Sequence, residues 1–269
     1  MRALVVVVLA ACTDPVPPVA KPSPLDAIWS ESIRPGDLIV AVPGTGGYTD
    51  LGVFIDRSPT LDGRVDVNPI VLEQAIAAAQ RAGIDVESGA VTLALWGTGA
   101  TRPTFDYESL GGLRVRFDVI GGRSILAAGA LIQNLLRYTR DNADLDARDL
   151  EARIHALAPN GHVILVAHSW GGAVAEYLVD QLGDPSIAFV VAAGVPATIA
   201  GYHLRGPGLA PSGGASLYEV DRPDDMVHNM NPSGTIEGHQ YDIMFGDAFQ
   251  GSYGITTMEL SCHGVPGRC

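Results

Sequence analysis

The stretch that most limits what this chain can become runs from Gly161 to Ala175. Val163 to Val166 is an unbroken apolar, β-branched run, the pattern of a buried strand. Directly after Ala167, His168, Ser169 and Trp170 come Gly171 and Gly172. A helical period then begins, with Val174, Leu178 and Leu182 at i, i+4 and i+8. No loop residues separate strand from helix, so the chain must turn sharply with Ser169 at the apex. A turn this tight brings the two backbones together, so Ala167 and Gly171 can carry little or no side chain. The serine hydroxyl is thereby held out of the sheet beside the first amides of the helix. Those amides have no intrahelical acceptor and are available to a developing oxyanion.

Ala-His-Ser-Trp-Gly-Gly resembles the nucleophile elbow of the α/β-hydrolase superfamily, in the form found in small bacterial lipases. Ala167 stands where the Gly-x-Ser-x-Gly pattern has its first glycine. The resemblance implies Ser169 as nucleophile, the amide of Trp170 as one oxyanion donor, and an acid and then a histidine further along the chain. An ordinary strand and helix joined by a serine-containing turn is the bland alternative.

The rest of the chain alternates strand and helix signals. Asp37 to Val42 reads as a buried strand ended by Pro43-Gly44-Thr45-Gly46-Gly47. Lipases often have His-Gly at the corresponding place, and here Pro43 replaces the histidine. The amide of Thr45 or a neighbour is expected to complete the oxyanion hole, since glycines let backbone N–H groups approach an anion. A plain turn is the rival. A phosphate loop would need a Gly-Lys-Ser/Thr ending that is not there. Pro69 to Ala82 reads as a helix with Val71, Leu72, Ala75, Ile76 and Ala79 on one face. Val91 to Trp96 reads as a strand followed by a Gly/Thr/Pro-rich loop. Helix faces are marked by Ile125, Ala128, Ile132 and Leu135, and again by Leu150, Ile154 and Leu157. Further strands are expected at Ile187 to Ala193 and Leu217 to Val220, with the Gly- and Pro-rich loop 194–214 between them as either a lid or a surface insertion. This alternation predicts an α/β fold, a mostly parallel central sheet with helices on both faces. With the resemblance it predicts an α/β-hydrolase domain over 31–269.

A carboxylate just past a late strand is where the superfamily places its triad acid. Asp224-Asp225-Met226-Val227 matches its Asp-x-apolar-Val pattern with Asp224 as the acid. Asp225 is one step out of phase, and Asp221 is nearer the strand end. His239 follows in the required order Ser, Asp, His. His228 is only four residues past Asp224, His168 adjoins Ser169 on the turn, and His263 falls in the C-terminal cysteine loop.

The 269 residues, 47% hydrophobic and 17% charged, suit one domain with a sizeable core. A formal net charge of −13 argues against nucleic acid as a partner. Met1-Arg2, an apolar segment and Leu9-Ala10-Ala11-Cys12 read as a signal peptide over 1–11. Leu-Ala-Ala-Cys resembles the bacterial lipobox, which implies export and a lipid anchor on Cys12. Thr13 in place of Asp implies the outer membrane in a Gram-negative envelope. The proline-rich residues 12–30 would be an extended tether. Cys262 and Cys269 would then be left to pair in an oxidising compartment, closing a loop worth about 2–3 kcal/mol. No cysteine and histidine cluster at zinc spacing is present, and no metal or cofactor is implied.

The expectation is therefore a lipid-anchored serine hydrolase acting on acyl or lipid esters, with the apolar Trp170 beside the nucleophile favouring such substrates. A thioesterase or acyltransferase on the same triad, or a catalytically silent binding module of the cell envelope, remain alternatives.

Overall fold

The computed structural model describes residues 33–44, 60–61, 65–66, 69–96, 104–109, 112–121, 140–158, 161–195, 198–199, 202–203, 214–221 and 259–263. Cys12, the tether, Thr45, the helix face 125–135, Asp224, Asp225, His228, His239 and Cys269 lie outside them.

In chain order the strands are β1 (Leu38–Val42), β2 (Thr60–Leu61), β3 (Val65–Asp66), β4 (Thr92–Trp96), β5 (Thr104–Glu108), β6 (Arg114–Gly121), β7 (Val163–His168), β8 (Ile187–Ala193), β9 (Thr198–Ile199), β10 (Tyr202–His203), β11 (Ser216–Asp221) and β12 (Glu259–His263). The α-helices are α1 (Pro69–Arg81), α2 (Arg140–Leu157) and α3 (Trp170–Tyr177), the last continuing as a π-helical turn over Leu178–Leu182. Two short ladders, β2 with β3 and β9 with β10, stand apart from one eight-stranded sheet of order β12-β11-β8-β7-β1-β4-β6-β5. Its six inner strands are parallel, and antiparallel β5 and β12 close the two edges.

The order shows how the sheet was wound. From β1 the chain steps outward through β4 to β6, then returns to β1's other side and steps outward again through β7, β8 and β11. Crossovers of constant hand put their helices on opposite faces when the direction of travel reverses. Accordingly α1 packs on one face, against Ile39, Leu93, Leu95, Ile164 and Val166. The other face, with Val40, Ala94, Leu165, Val190 and Leu217, is covered by α2 and α3. Burial on both faces explains why β1 and β7 read as continuous apolar runs, since every residue of each is buried.

Helix α1 buries the five residues its period marks out. Helix α2 begins ten residues before Leu150. Its first turns face inward with Ala143, Asp146 and Ala147, which carry almost no hydropathy signal, while Leu157 is 37% exposed at the last turn. The Gly/Thr/Pro-rich residues 97–103 expected as a loop lie outside the described residues, and the hairpin of β5 and β6 follows them. Its alternation is plain once paired: Tyr107, Val115 and Phe117 point inward, while Asp106 faces Arg116 and Glu108 faces Arg114 on the solvent side. Cys262 and His263 lie in β12, opposite Tyr218 and Leu217.

Candidate active site

The direction of winding reverses between β1 and β7, and it is at the carboxyl ends of strands flanking such a reversal that open α/β sheets bind ligands. Ser169 sits there. Strand β7 ends at His168, α3 starts at Trp170, and Ser169 between them has φ 54° and ψ −125°. It is the one non-glycine residue with positive φ among those described. Such a conformation costs about 1–3 kcal/mol in a residue with a Cβ and persists only where the surroundings over-determine it.

Three glycines supply much of that constraint. A Cβ on Gly171 would collide with the carbonyl oxygens of Val42 and Pro43, so α3 rests directly on the backbone leaving β1. A Cβ on Gly172 would overlap the side chain of Val195, just past β8. Gly44 meets the serine itself: a Cβ there would lie 2.8 Å from the Cβ of Ser169 and 3.2 Å from its Oγ. Gly44, just past β1, and Ser169, just past β7, are thus packed directly against each other. Of the two expected oxyanion donors, the amide of Trp170 opens α3, where the first N–H groups lack intrahelical acceptors and the helix dipole favours negative charge. Thr45 follows Gly44 outside the described residues.

The side chain of Trp170 has a different role from the expected one. Its indole is 1% exposed and packs in the core between the sheet and α2, and Nε1 donates to Oδ2 of the fully buried Asp146 at 3.0 Å. It therefore does not line a substrate cleft, and the preference for lipid esters loses that support. Asp146 itself was not foreseen. The available signal was a carboxylate inside the inward stripe Ala143, Ala147, Leu150, Ile154. One turn on, Asp149 accepts from Trp96 Nε1 at 3.1 Å and from Arg153 Nε at 2.8 Å. His168 is buried at the end of β7.

Strand β11 is parallel to β8 and, through it, to β7, so its end at Asp221 lies on the same edge of the sheet as Ser169. Strand β12 runs back antiparallel with Glu259 opposite Asp221. The segment 222–258 consequently leaves from and returns to the Ser169 edge. Asp224, Asp225, His228 and His239 all belong to that segment.

A groove of about 670 Å³ lies towards the other ends of the strands, between Val86–Gly89, the start of β4 and the β5–β6 hairpin. Its charges are largely paired with one another, Arg116 with Asp106 at 2.8 Å and Arg114 with Glu108 at 3.5 Å. The Arg116 guanidinium, chiefly by hydrogen bonding, holds the Asp106 carboxyl below the usual carboxylate range. Among the described residues no group of three or more His, Cys, Asp or Glu is placed to hold a metal, and no helix is long and apolar enough to cross a membrane.

The sheet and its elbow define an α/β protein with a mostly parallel sheet and a serine at the topological switch point. No family model, curated protein or solved structure matches the chain.

Proposed function

We propose that the protein is a serine hydrolase of the α/β-hydrolase type that cleaves carboxylic esters. The observation that carries this reading is the strained Ser169 at the apex of the β7–α3 turn, walled by Gly44 and facing the start of α3. A non-glycine residue held at φ 54° is a cost that an ordinary strand-to-helix connection has no reason to bear.

In this reading His239 takes the Ser169 proton as Oγ attacks the ester carbonyl carbon, and Asp224 orients the imidazole and stabilises its charged form. Asp225 and Asp221 are the alternative acids. The amide of Trp170, with that of Thr45 or a neighbour, holds the tetrahedral oxyanion. His239 returns the proton to the departing alkoxide, and a water activated in the same way cleaves the acyl-enzyme. The end of β11 and the start of β12, between which Asp224 and His239 fall in the sequence, both lie on the Ser169 edge, which supports this assignment.

Cys12, read as the lipidated first residue of the mature chain, would hold the enzyme on the bacterial envelope through its acyl chains. Replacing it with serine should move the protein out of the membrane fraction. The test of the activity is labelling by a fluorophosphonate probe together with hydrolysis of p-nitrophenyl esters of short and long acyl chains. Wild type should label and turn over, whereas Ser169→Ala and His239→Ala should not. Full turnover by Ser169→Ala would end the proposal.

A further inference from the structure

The structure assigns Asp146 as a positioning residue for the elbow, acting through the indole of Trp170; the assignment rests on the hydrolase reading of Ser169. Trp170 is both the neighbour of the nucleophile and the first residue of α3, so any rotation of its backbone moves Ser169 and the amide expected to face the oxyanion. Its side chain is the long lever on that backbone. The lever is fixed 24 residues away in sequence by a fully buried carboxylate, through a 3.0 Å bond from Nε1 to Oδ2. A hydrogen bond from an indole N–H to a carboxyl oxygen is directional, whereas apolar packing alone would leave the indole free to slide in its plane. Burying a carboxylate disfavours folding in itself, and a leucine or methionine at 146 would suit the stripe around it. What the carboxylate adds is one defined orientation for the residue that follows the serine.

The same helix carries a built-in comparison. Asp149 accepts from Trp96 Nε1 at 3.1 Å, again an indole N–H on a carboxyl oxygen though one that Arg153 shares, but Trp96 ends β4 and is not joined to the elbow. A merely structural role predicts that losing either indole donor lowers stability and leaves the chemistry unchanged. A positioning role predicts that only the loss at Trp170 reaches the chemistry.

The experiment compares Trp170→Phe with Trp96→Phe, each of which removes an N–H and keeps an aromatic ring, and adds Asp146→Asn and Asp146→Leu. For each protein, active sites are titrated with the fluorophosphonate probe. Then kcat per titrated site and KM are measured on p-nitrophenyl acetate, well below the unfolding midpoint. Both tryptophan variants should lower the midpoint. Trp170→Phe alone should lower kcat, about 10-fold or more, with KM within about twofold, as expected for a misplaced transition-state donor. Asp146→Leu should behave like Trp170→Phe, while Asp146→Asn, which keeps an acceptor oxygen, should recover most of the rate. An unchanged kcat in Trp170→Phe, or an equal fall in Trp96→Phe, overturns the role of Asp146 alone. A wild type that neither labels nor turns over overturns the hydrolase reading and this role with it.

Discussion

Gly44 and Ser169 touch across the gap between β1 and β7, close enough that a methyl group on residue 44 would stand 2.8 Å from the serine Cβ. That separation is shorter than two carbons tolerate, and the atom in the way belongs to a residue pinned by its backbone rather than to a flexible side-chain tip. Gly44→Ala should therefore displace the hydroxyl while leaving the sheet intact. We expect at least a 10-fold slower reaction with a fluorophosphonate, an order of magnitude set by sub-ångström misplacement of a nucleophile, with an unaltered far-ultraviolet circular dichroism spectrum. An unchanged labelling rate would contradict the geometry.

Ser169 holds a backbone conformation that glycine adopts without penalty. Ser169→Gly and Ser169→Ala should both be inactive, yet differ in stability. The glycine variant should unfold at the higher temperature, by a few degrees if it recovers about 1 kcal/mol of strain. Thermal unfolding of the pair decides it, and equal midpoints would mean that the turn stores no strain.

The two glycines after the serine differ in what confronts them. Gly171 faces the carbonyl oxygens of Val42 and Pro43, which cannot yield without moving β1. Gly171→Ala should cost about 3 kcal/mol or more, at the upper end for overpacking. Gly172 faces the side chain of Val195. Gly172→Ala should cost less, and adding Val195→Ala should restore part of the loss, as measured by denaturant midpoints. Removal of Val195 should not rescue Gly171→Ala.

At the sheet edge, the Asp106 carboxyl is held below its usual range by Arg116. A lowered carboxylate contributes stability above its unfolded-state pKa and loses that contribution as the pH falls through the folded value. Both side chains are largely in water, so the pair should be weak and screened by salt. Asp106→Asn should leave the neutral-pH midpoint unresolved from wild type in moderate salt, with any difference at low salt disappearing on acidification.

The elbow was legible because everything that makes it is local. Four β-branched or apolar residues, two small ones beside the serine and a helical period after it define a strand, a turn and a helix without reference to the rest of the chain. Helix α1 was legible for the same reason. The hairpin of β5 and β6 was hidden by the Gly- and Pro-containing residues before it, although its alternation was present. The first half of α2 was hidden because alanines and one aspartate face inward there. The candidate acid and base were named from their order in the chain, and they belong to a segment tied at both ends to the Ser169 edge.

Sequence alone determined that Ser169 crowns a strand-to-helix turn in a layered α/β protein, since periodicity and steric bulk act over a few residues. Only the tertiary structure decided the rest: that the winding reverses beside β7, that Gly44 presses on the serine, and that the Trp170 indole turns inward to Asp146 instead of outward to a substrate. Strand neighbours and buried partners are chosen by contacts between residues far apart in the chain, and no local period encodes them.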